Sequence, residues 1–218
     1  MTTDLLSFTL FAFSSIIIVV NPLSALLVYN STTEFMDTGT KKKVAGHACR
    51  IAVIVLVFFT LFGSALLSLF GITISAFTVA GGVLLFGIGM EMVYARTSRA
   101  KLTATEKYES IDAEDISSMP LAFPMISGPG TITTVIVLSK DTPISTDPIG
   151  FSIILISVIA TVLITYVIFI SSDTITKKLG MREYRVVNRL MGIMLMAIAV
   201  QFIMNGISEA FPMLTGSV

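Results

Sequence analysis

The residues best able to form a binding site are two helix-breaking sequences, Asn21-Pro22 and Gly128-Pro129-Gly130. Proline lacks a backbone N–H and its ring opposes the preceding turn, so a helix containing either sequence is interrupted there. The N-terminal end of the half-helix that follows attracts anions, and the carbonyls before the break can hold an ammonium group or Na⁺. Together these groups suit a zwitterionic amino acid.

Polar side chains near each break would complete such a site. Asn21 can cap the half-helix that begins at Pro22. At the second break, Ser127 or Thr131 can satisfy the new helix start. Thr131 and Thr134 share one face just after that break, where we expect a cavity, while Thr133 points elsewhere. The predicted substrate-binding residues are Asn21, Pro22, Ser24, Ser127, Gly128, Pro129, Gly130, Thr131 and Thr134.

The elements that carry these residues are predicted to be membrane spans. The 218 residues are 54% hydrophobic and 13% charged, which is more apolar than a soluble domain of this size. A hydrocarbon core of ~30 Å needs ~20 apolar residues per helix. Six windows without Asp, Glu, Lys or Arg meet that need. They predict helices at 5–30, 45–70, 74–94, 118–139, 150–172 and 188–209.

The distribution of Lys and Arg predicts the orientation. The first, third and fifth connections carry all of these residues except Lys140. Since Lys and Arg resist translocation, this face is expected in the cytoplasm of a multi-pass inner or plasma membrane protein, with both termini outside. The first span begins beside Asp4 without a basic leader, so we interpret it as a retained span rather than a secretory signal.

The two halves of the chain resemble each other. Residues 81–91 align without gaps on 191–201, with Gly82 on Gly192, and residues 21–28 align on 128–135. The basic loop after the first span corresponds to an acidic one after the fourth, so equivalent loops lie on opposite faces. We therefore predict an all-α integral membrane protein of six helices in two inverted-topology three-helix repeats, with broken first and fourth helices. The first repeat covers residues 1–95, a cytoplasmic connector 96–117 and the second repeat 118–218.

Small residues on the third and sixth spans are expected to support close helix packing near the site, at Gly81, Gly82 and Gly192. The single cysteine, Cys49, and the single histidine, His47, give no metal-site spacing. The sequence predicts neither a bound metal nor another cofactor.

Three runs resemble the MarC family of integral membrane proteins: Asn21-Pro22, residues 80–86 (AGGVLLF), and above all residues 120–134 (PLAFPMISGPGTITT). The resemblance covers essentially the whole chain. It implies a secondary transporter of small neutral amino acids such as glycine and alanine. Many relatives have Asp before the proline where this chain has Asn21, which leaves the coupling ion, Na⁺ or H⁺, open.

Three function classes remain. The first is a secondary transporter that binds a small neutral amino acid between the two breaks and works by alternating access. The second is an exporter of drug-like or other apolar compounds. The third is an intramembrane enzyme using Ser127 with His47, which we disfavour because the predicted spans separate the two residues. The chain has neither Gly-Lys-Ser nor Gly-Lys-Thr, as an ATP-binding loop would require.

The expected partners are the substrate, the bilayer and other copies of the chain, but not nucleic acid.

Overall fold

The computed structural model describes residues 2–94, 117–178 and 180–211. In these residues every regular element is helical: α1 (Thr2–Val20), α2 (Pro22–Thr32), α3 (Thr38–Leu69), α4 (Ile74–Val93), a distorted segment α5 (Ser117–Ile126), α6 (Pro129–Asp141), α7 (Pro148–Ile170), α8 (Ser172–Lys178) and α9 (Met181–Ala210). The predicted connector, 96–117, lies outside the described residues except for Ser117.

The helices have the length and composition of membrane spans. Among the described residues, five helices are long and apolar enough to cross a bilayer, and a sixth is added if the bent pair α5 and α6 counts as one span. Large apolar side chains such as Phe62, Leu163 and Ile193 are exposed on the outer surface. Water would disfavour such a surface, whereas lipid is its natural solvent. The prediction of an all-helical, multi-pass membrane protein is confirmed.

Two helices extend further than predicted. α3 begins at Thr38 rather than at residue 45, because the Asp37 carboxylate accepts hydrogen bonds from the N–H groups of Gly39 and Thr40. α9 begins at Met181 rather than at residue 188. The uncharged windows mark only the part of a helix that lies in lipid, and both helices continue past it as polar turns.

Both predicted breaks are present, and they differ in size. Asn21 alone separates α1 from α2, with a left-handed backbone at φ 47° and ψ 70°. The second break is wider, since α5 contains extended backbone at Met119 and Phe123. The axes of α5 and α6 then meet at an angle of 50°.

The core has two parts. The larger part joins α1, α2, α3, α5, α6 and α7 around fully buried side chains such as Ile16, Leu56 and Ile154. The smaller part surrounds Leu85 of α4 and Leu195 of α9. It joins the third and sixth predicted spans to the rest of the bundle through α1 and α6.

Glycines allow α4 and α9 to approach closely. A Cβ at Gly82 would lie 2.7 Å from the Ala199 carbonyl oxygen, and one at Gly192 would lie 2.9 Å from the Gly89 carbonyl oxygen. A Cβ at Gly206 would lie 2.8 Å from the Ser75 carbonyl oxygen. Since the contact positions rise along α9 as they fall along α4, the two helices run antiparallel.

Candidate functional site

The first break is organised by Asn21. Its side-chain Oδ1 accepts a hydrogen bond of 3.2 Å from the Ser24 N–H, which caps α2. The predicted capping role of Asn21 is therefore confirmed. Asparagine tolerates the left-handed backbone found here better than most residues because its short polar side chain can bond locally. Pro22 follows as the first residue of α2, where its missing N–H leaves no helical bond unmade.

A polar cluster connects this break to α9. Ser24 Oγ donates a hydrogen bond of 2.6 Å to Asn188 Oδ1, and the Tyr184 hydroxyl lies 3.4 Å from Ser24 Oγ. Asn21 Nδ2 lies 3.5 Å from the Met92 sulfur of α4. We refer to Ser24, Tyr184 and Asn188 as the α2–α9 cluster. Neither Tyr184 nor Asn188 was predicted as a site residue, although their spacing of four residues places both on one helix face and could have revealed them.

The second break has no side-chain cap. Gly128 is the N-cap of α6, and no side chain bonds to the first N–H groups of that helix. The prediction that Ser127 or Thr131 satisfies the helix start is wrong. Ser127 Oγ instead donates to the Ala122 carbonyl at 2.8 Å, and Thr131 Oγ1 donates to the Ile126 carbonyl at 3.0 Å. The distorted backbone of α5 leaves these carbonyls near the hydroxyls, which bond to them rather than to α6.

The other threonines also bond within their own segment. Thr133 Oγ1 donates to the Pro129 carbonyl, and Thr134 Oγ1 donates to the Gly130 carbonyl, each at 2.9 Å. Thr133 lies beside Gly81 of α4, close enough for a Cβ at Gly81 to overlap its methyl group. Its side chain thus packs on α4.

The two breaks lie next to each other. A Cβ at Gly130 would lie 3.4 Å from Val19 Cγ1, two residues before Asn21, and 2.6 Å from Leu85 Cδ2. The side chains of Thr131 and Thr134 are 2% and 0% exposed. Where the sequence predicted a cavity, this structure has Leu85 and Val19 packed against Gly130.

Partial charges, rather than formal ones, dominate the electrostatics here. No Asp, Glu, Lys or Arg is among the predicted site residues. The N-terminal ends of α2 and α6 each carry roughly half a positive elementary charge. Among the described residues, no group of three or more His, Cys, Asp or Glu side chains could hold a metal ion. The groups that this region offers to a ligand are backbone groups, hydroxyls and helix ends.

Comparison with known proteins assigns the family. Residues 6–211 match the model of the MarC family integral membrane protein. A UPF0056 membrane protein of Pyrococcus horikoshii is 37% identical over 88% of this chain and 90% of its own length. The UPF0056 membrane protein YvbG of Bacillus subtilis is 36% identical over 96% of this chain and 98% of its own, and YhcE of Escherichia coli is 30% identical over 92% of each. No solved structure matches the chain significantly. The chain belongs to the MarC family of integral membrane proteins.

Proposed function

We propose that this protein is a secondary transporter of small neutral amino acids, of the glycine and alanine class, that works by alternating access. The substrate binds between Asn21-Pro22 and Gly128-Pro129-Gly130. One observation carries the proposal: Gly130, in the first turn of α6, packs against Val19, in the last turn of α1 two residues before Asn21, and against Leu85 of α4. This contact places the two helix breaks side by side inside the bundle.

The chemistry of the two helix ends supports a zwitterion as the substrate. A carboxylate placed at the N-terminal ends of α2 and α6 would gain about 0.3 to 1 kcal/mol from each, and more where water is scarce. The Ala122 and Ile126 carbonyls, which now accept hydroxyl hydrogen bonds, are acceptors for an ammonium group. A substrate with a small side chain fits best, because Leu85 and Val19 must make room for it.

The packing around Gly130 fits a state closed to both sides of the membrane. Ser127 and Thr134 are fully buried, so substrate entry requires helix movement. The α2–α9 cluster holds α2 against the first half of α9, while Lys140 of α6 forms an ion pair with Glu209 near the other end of α9. In our proposal these two contacts open in turn, one on each side of the membrane.

The packing of α4 on α9 supports the inverted repeat. The sequence alignment places Gly82 on Gly192 and Gly89 on Ala199. Exchanging the two halves therefore converts the Gly82–Ala199 contact into the Gly192–Gly89 contact, and both contacts are present. Leu85 and Leu195, which the alignment also pairs, lie between them in one core cluster. With three spans in each half, we propose that both termini lie outside an inner or plasma membrane.

The serine enzyme has less support than transport. The Ser127 hydroxyl donates its hydrogen bond to the Ala122 carbonyl, whereas His47 lines a surface pocket with Lys42 and Arg50. A nucleophilic serine needs a base that accepts its proton. The Ser127 proton is instead engaged with the backbone of its own segment.

The direct test is equilibrium binding of glycine, alanine and serine to the purified protein, with and without Na⁺ and at two pH values. We expect saturable binding and matching uptake into proteoliposomes, with the ion dependence identifying the coupling ion. Absence of binding under every condition would contradict the substrate class. Flux of drug-like compounds alone would favour the exporter of apolar compounds.

The site is tested with Thr131→Val and Thr134→Val, which remove a hydroxyl but keep the shape of the side chain. We expect each to weaken glycine binding about 3- to 10-fold, as for loss of one hydrogen bond. Thr60→Val is the matched control, since Thr60 is a buried threonine of α3 whose hydroxyl, like that of Thr134, bonds to the carbonyl four residues earlier. Equal effects of all three variants, or normal transport by Pro22→Ala, would refute the site.

A further inference from the structure

A second candidate binding site lies at the beginning of α3, away from both breaks. Lys42, Lys43, Gly46, His47 and Arg50 line an open pocket on the surface of the helix. We call these residues the basic notch. Lys42, Lys43 and Arg50 are exposed, and His47 is half-buried. Lys43 and Lys42 precede Gly46 by three and four residues, and Arg50 follows Lys42 by eight. This spacing places them on adjoining turns of one side of α3.

Gly46 makes the notch concave. A Cβ at this position would meet only the edge of the Tyr166 ring of α7, at 3.9 Å. The side chain missing at Gly46 therefore leaves a recess beside α7, bordered by cations on the turns before and after it. A continuous row of side chains would fill this recess.

The part of the chain that the structure describes supplies no partner for the cations of the basic notch. Within the described ranges, Lys42, Lys43, His47 and Arg50 form no ion pair or side-chain hydrogen bond. The preceding carboxylate, Asp37, is occupied by the Thr40 hydroxyl and the N–H groups of Gly39 and Thr40. Three cationic side chains thus surround one recess, and none of the described residues supplies a counter-ion.

The position along α3 indicates the depth of the notch in the membrane. Arg50 is the last charged residue before a stretch of 22 residues, 51–72, that contains no Asp, Glu, Lys or Arg. That stretch has the length of a hydrocarbon span, so the notch lies at the level of lipid headgroups, where phosphates are concentrated.

We propose that the basic notch binds the phosphate headgroup of an anionic phospholipid, with the acyl chains along the apolar surface of α3 and α7. The recess at Gly46 accommodates the phosphate, and Lys42, Lys43 and Arg50 supply the charge. Lipid is favoured over a soluble phosphate compound because the next turn of α3 after Arg50 carries the exposed apolar side chain of Ile54.

The test measures retention of phosphatidylglycerol and phosphatidylcholine on the purified full-length protein by native mass spectrometry. We expect the wild type to retain phosphatidylglycerol preferentially. Each of Lys42→Gln, Lys43→Gln and Arg50→Gln should weaken that binding about fivefold, as expected for loss of one surface charge. Lys41→Gln is the matched control. Lys41 lies on the same turn but on the opposite side of α3, where its carbonyl accepts a hydrogen bond from the Tyr29 hydroxyl.

Two further measurements distinguish binding in the recess from non-specific electrostatic attraction of anionic lipid. Gly46→Leu retains every charge but fills the recess, and we expect it to abolish the preference for phosphatidylglycerol while the unfolding temperature stays near that of wild type. A preference that survives Gly46→Leu, or an equal loss in Lys41→Gln, would show diffuse attraction and overturn the proposal. Competition by inorganic phosphate as strong as that by the lipid would likewise overturn the lipid as the ligand.

Discussion

The polar groups at the two helix breaks form hydrogen bonds with different kinds of partner. At the first break, a single residue, Asn21, interrupts the helix and caps α2, and the neighbouring Ser24 bonds across to Asn188 of α9. At the second break, the hydroxyls of Ser127 and Thr131 bond to carbonyls of their own segment. The polar groups of the first break are thus shared with a distant helix, whereas those of the second hold its own backbone together.

Because of this difference, substitutions at the two breaks should have different effects on the structure. Changes at the second break should affect the shape of the segment itself, because its bonds and close contacts are local. Changes at the first should affect how α2 is held against α9. The following predictions test that distinction, starting with the largest expected effect.

Gly128→Ala should be the most disruptive substitution. A Cβ at Gly128 would lie 2.2 Å from the Pro124 carbonyl oxygen, a backbone atom that cannot move without reshaping α5. Overpacking typically costs about 1 to 3 kcal/mol, and we expect a cost above this range here because the contact is with backbone. Thermal unfolding in detergent should show the loss. Gly87→Ala is the control, since a Cβ at Gly87 of α4 meets nothing within 4 Å. Equal stability of the two variants would contradict the role of Gly128.

Asn21→Val should cost slightly less. It loses the cap, worth ~1 kcal/mol, and places a β-branched residue in left-handed backbone, which costs a further ~1 to 2 kcal/mol. Asn21→Gly keeps the backbone accessible, and a glycine cap loses only a few tenths of a kcal/mol. Denaturant unfolding should therefore rank wild type, Asn21→Gly and Asn21→Val in that order. If Asn21→Gly and Asn21→Val were equally stable, the backbone at Asn21 would not be strained.

Ser24 and Asn188 should be energetically coupled. In a double-mutant cycle of Ser24→Ala and Asn188→Ala, we expect a coupling free energy of about 0.6 kcal/mol, within the range of about 0.6 to 2 kcal/mol found for hydrogen bonds between membrane helices. A cycle of Thr131→Val with Asn188→Ala should be additive, because the Thr131 hydroxyl bonds to Ile126 within its own segment. Coupling in the second cycle but not in the first would reverse the comparison between the breaks.

The smallest effect concerns a cap at the membrane surface. Hydrogen bonding to the Thr40 side chain holds the pKa of Asp37 below its ordinary value. Since the pKa is lower in the folded protein, this cap stabilises α3 above the unfolded-state pKa, and the benefit disappears as pH falls through the folded-state value. The difference in unfolding temperature between wild type and Asp37→Asn should therefore shrink in acid. The Asn21 cap has no titrating group, so the difference between wild type and Asn21→Gly should not depend on this titration.

Much of the fold could be predicted because it depends on local or compositional properties. The helical spans follow from uncharged stretches of sufficient length, and the break at Asn21-Pro22 follows from the missing N–H of proline. The starts of α3 and α9 were placed too late, since hydropathy does not mark the polar turns at a helix end. The prediction that Ser127 or Thr131 caps α6 was wrong. Their hydroxyls bond to carbonyls of α5, whose backbone is extended at Met119 and Phe123, and the sequence does not reveal that distortion.

The amino-acid sequence alone indicates that lipid surrounds this protein and shows where its helices break. Both properties belong to short stretches of chain: apolar length decides whether a helix suits lipid, and proline or glycine decides whether it continues. Three features depend on how the helices pack: Val19 and Leu85 contact Gly130, Ser24 bonds to Asn188, and the hydroxyls of the second break bond to their own backbone. Such pairings require residues distant in sequence to be held at contact distance, and the packing of whole helices determines which residues meet.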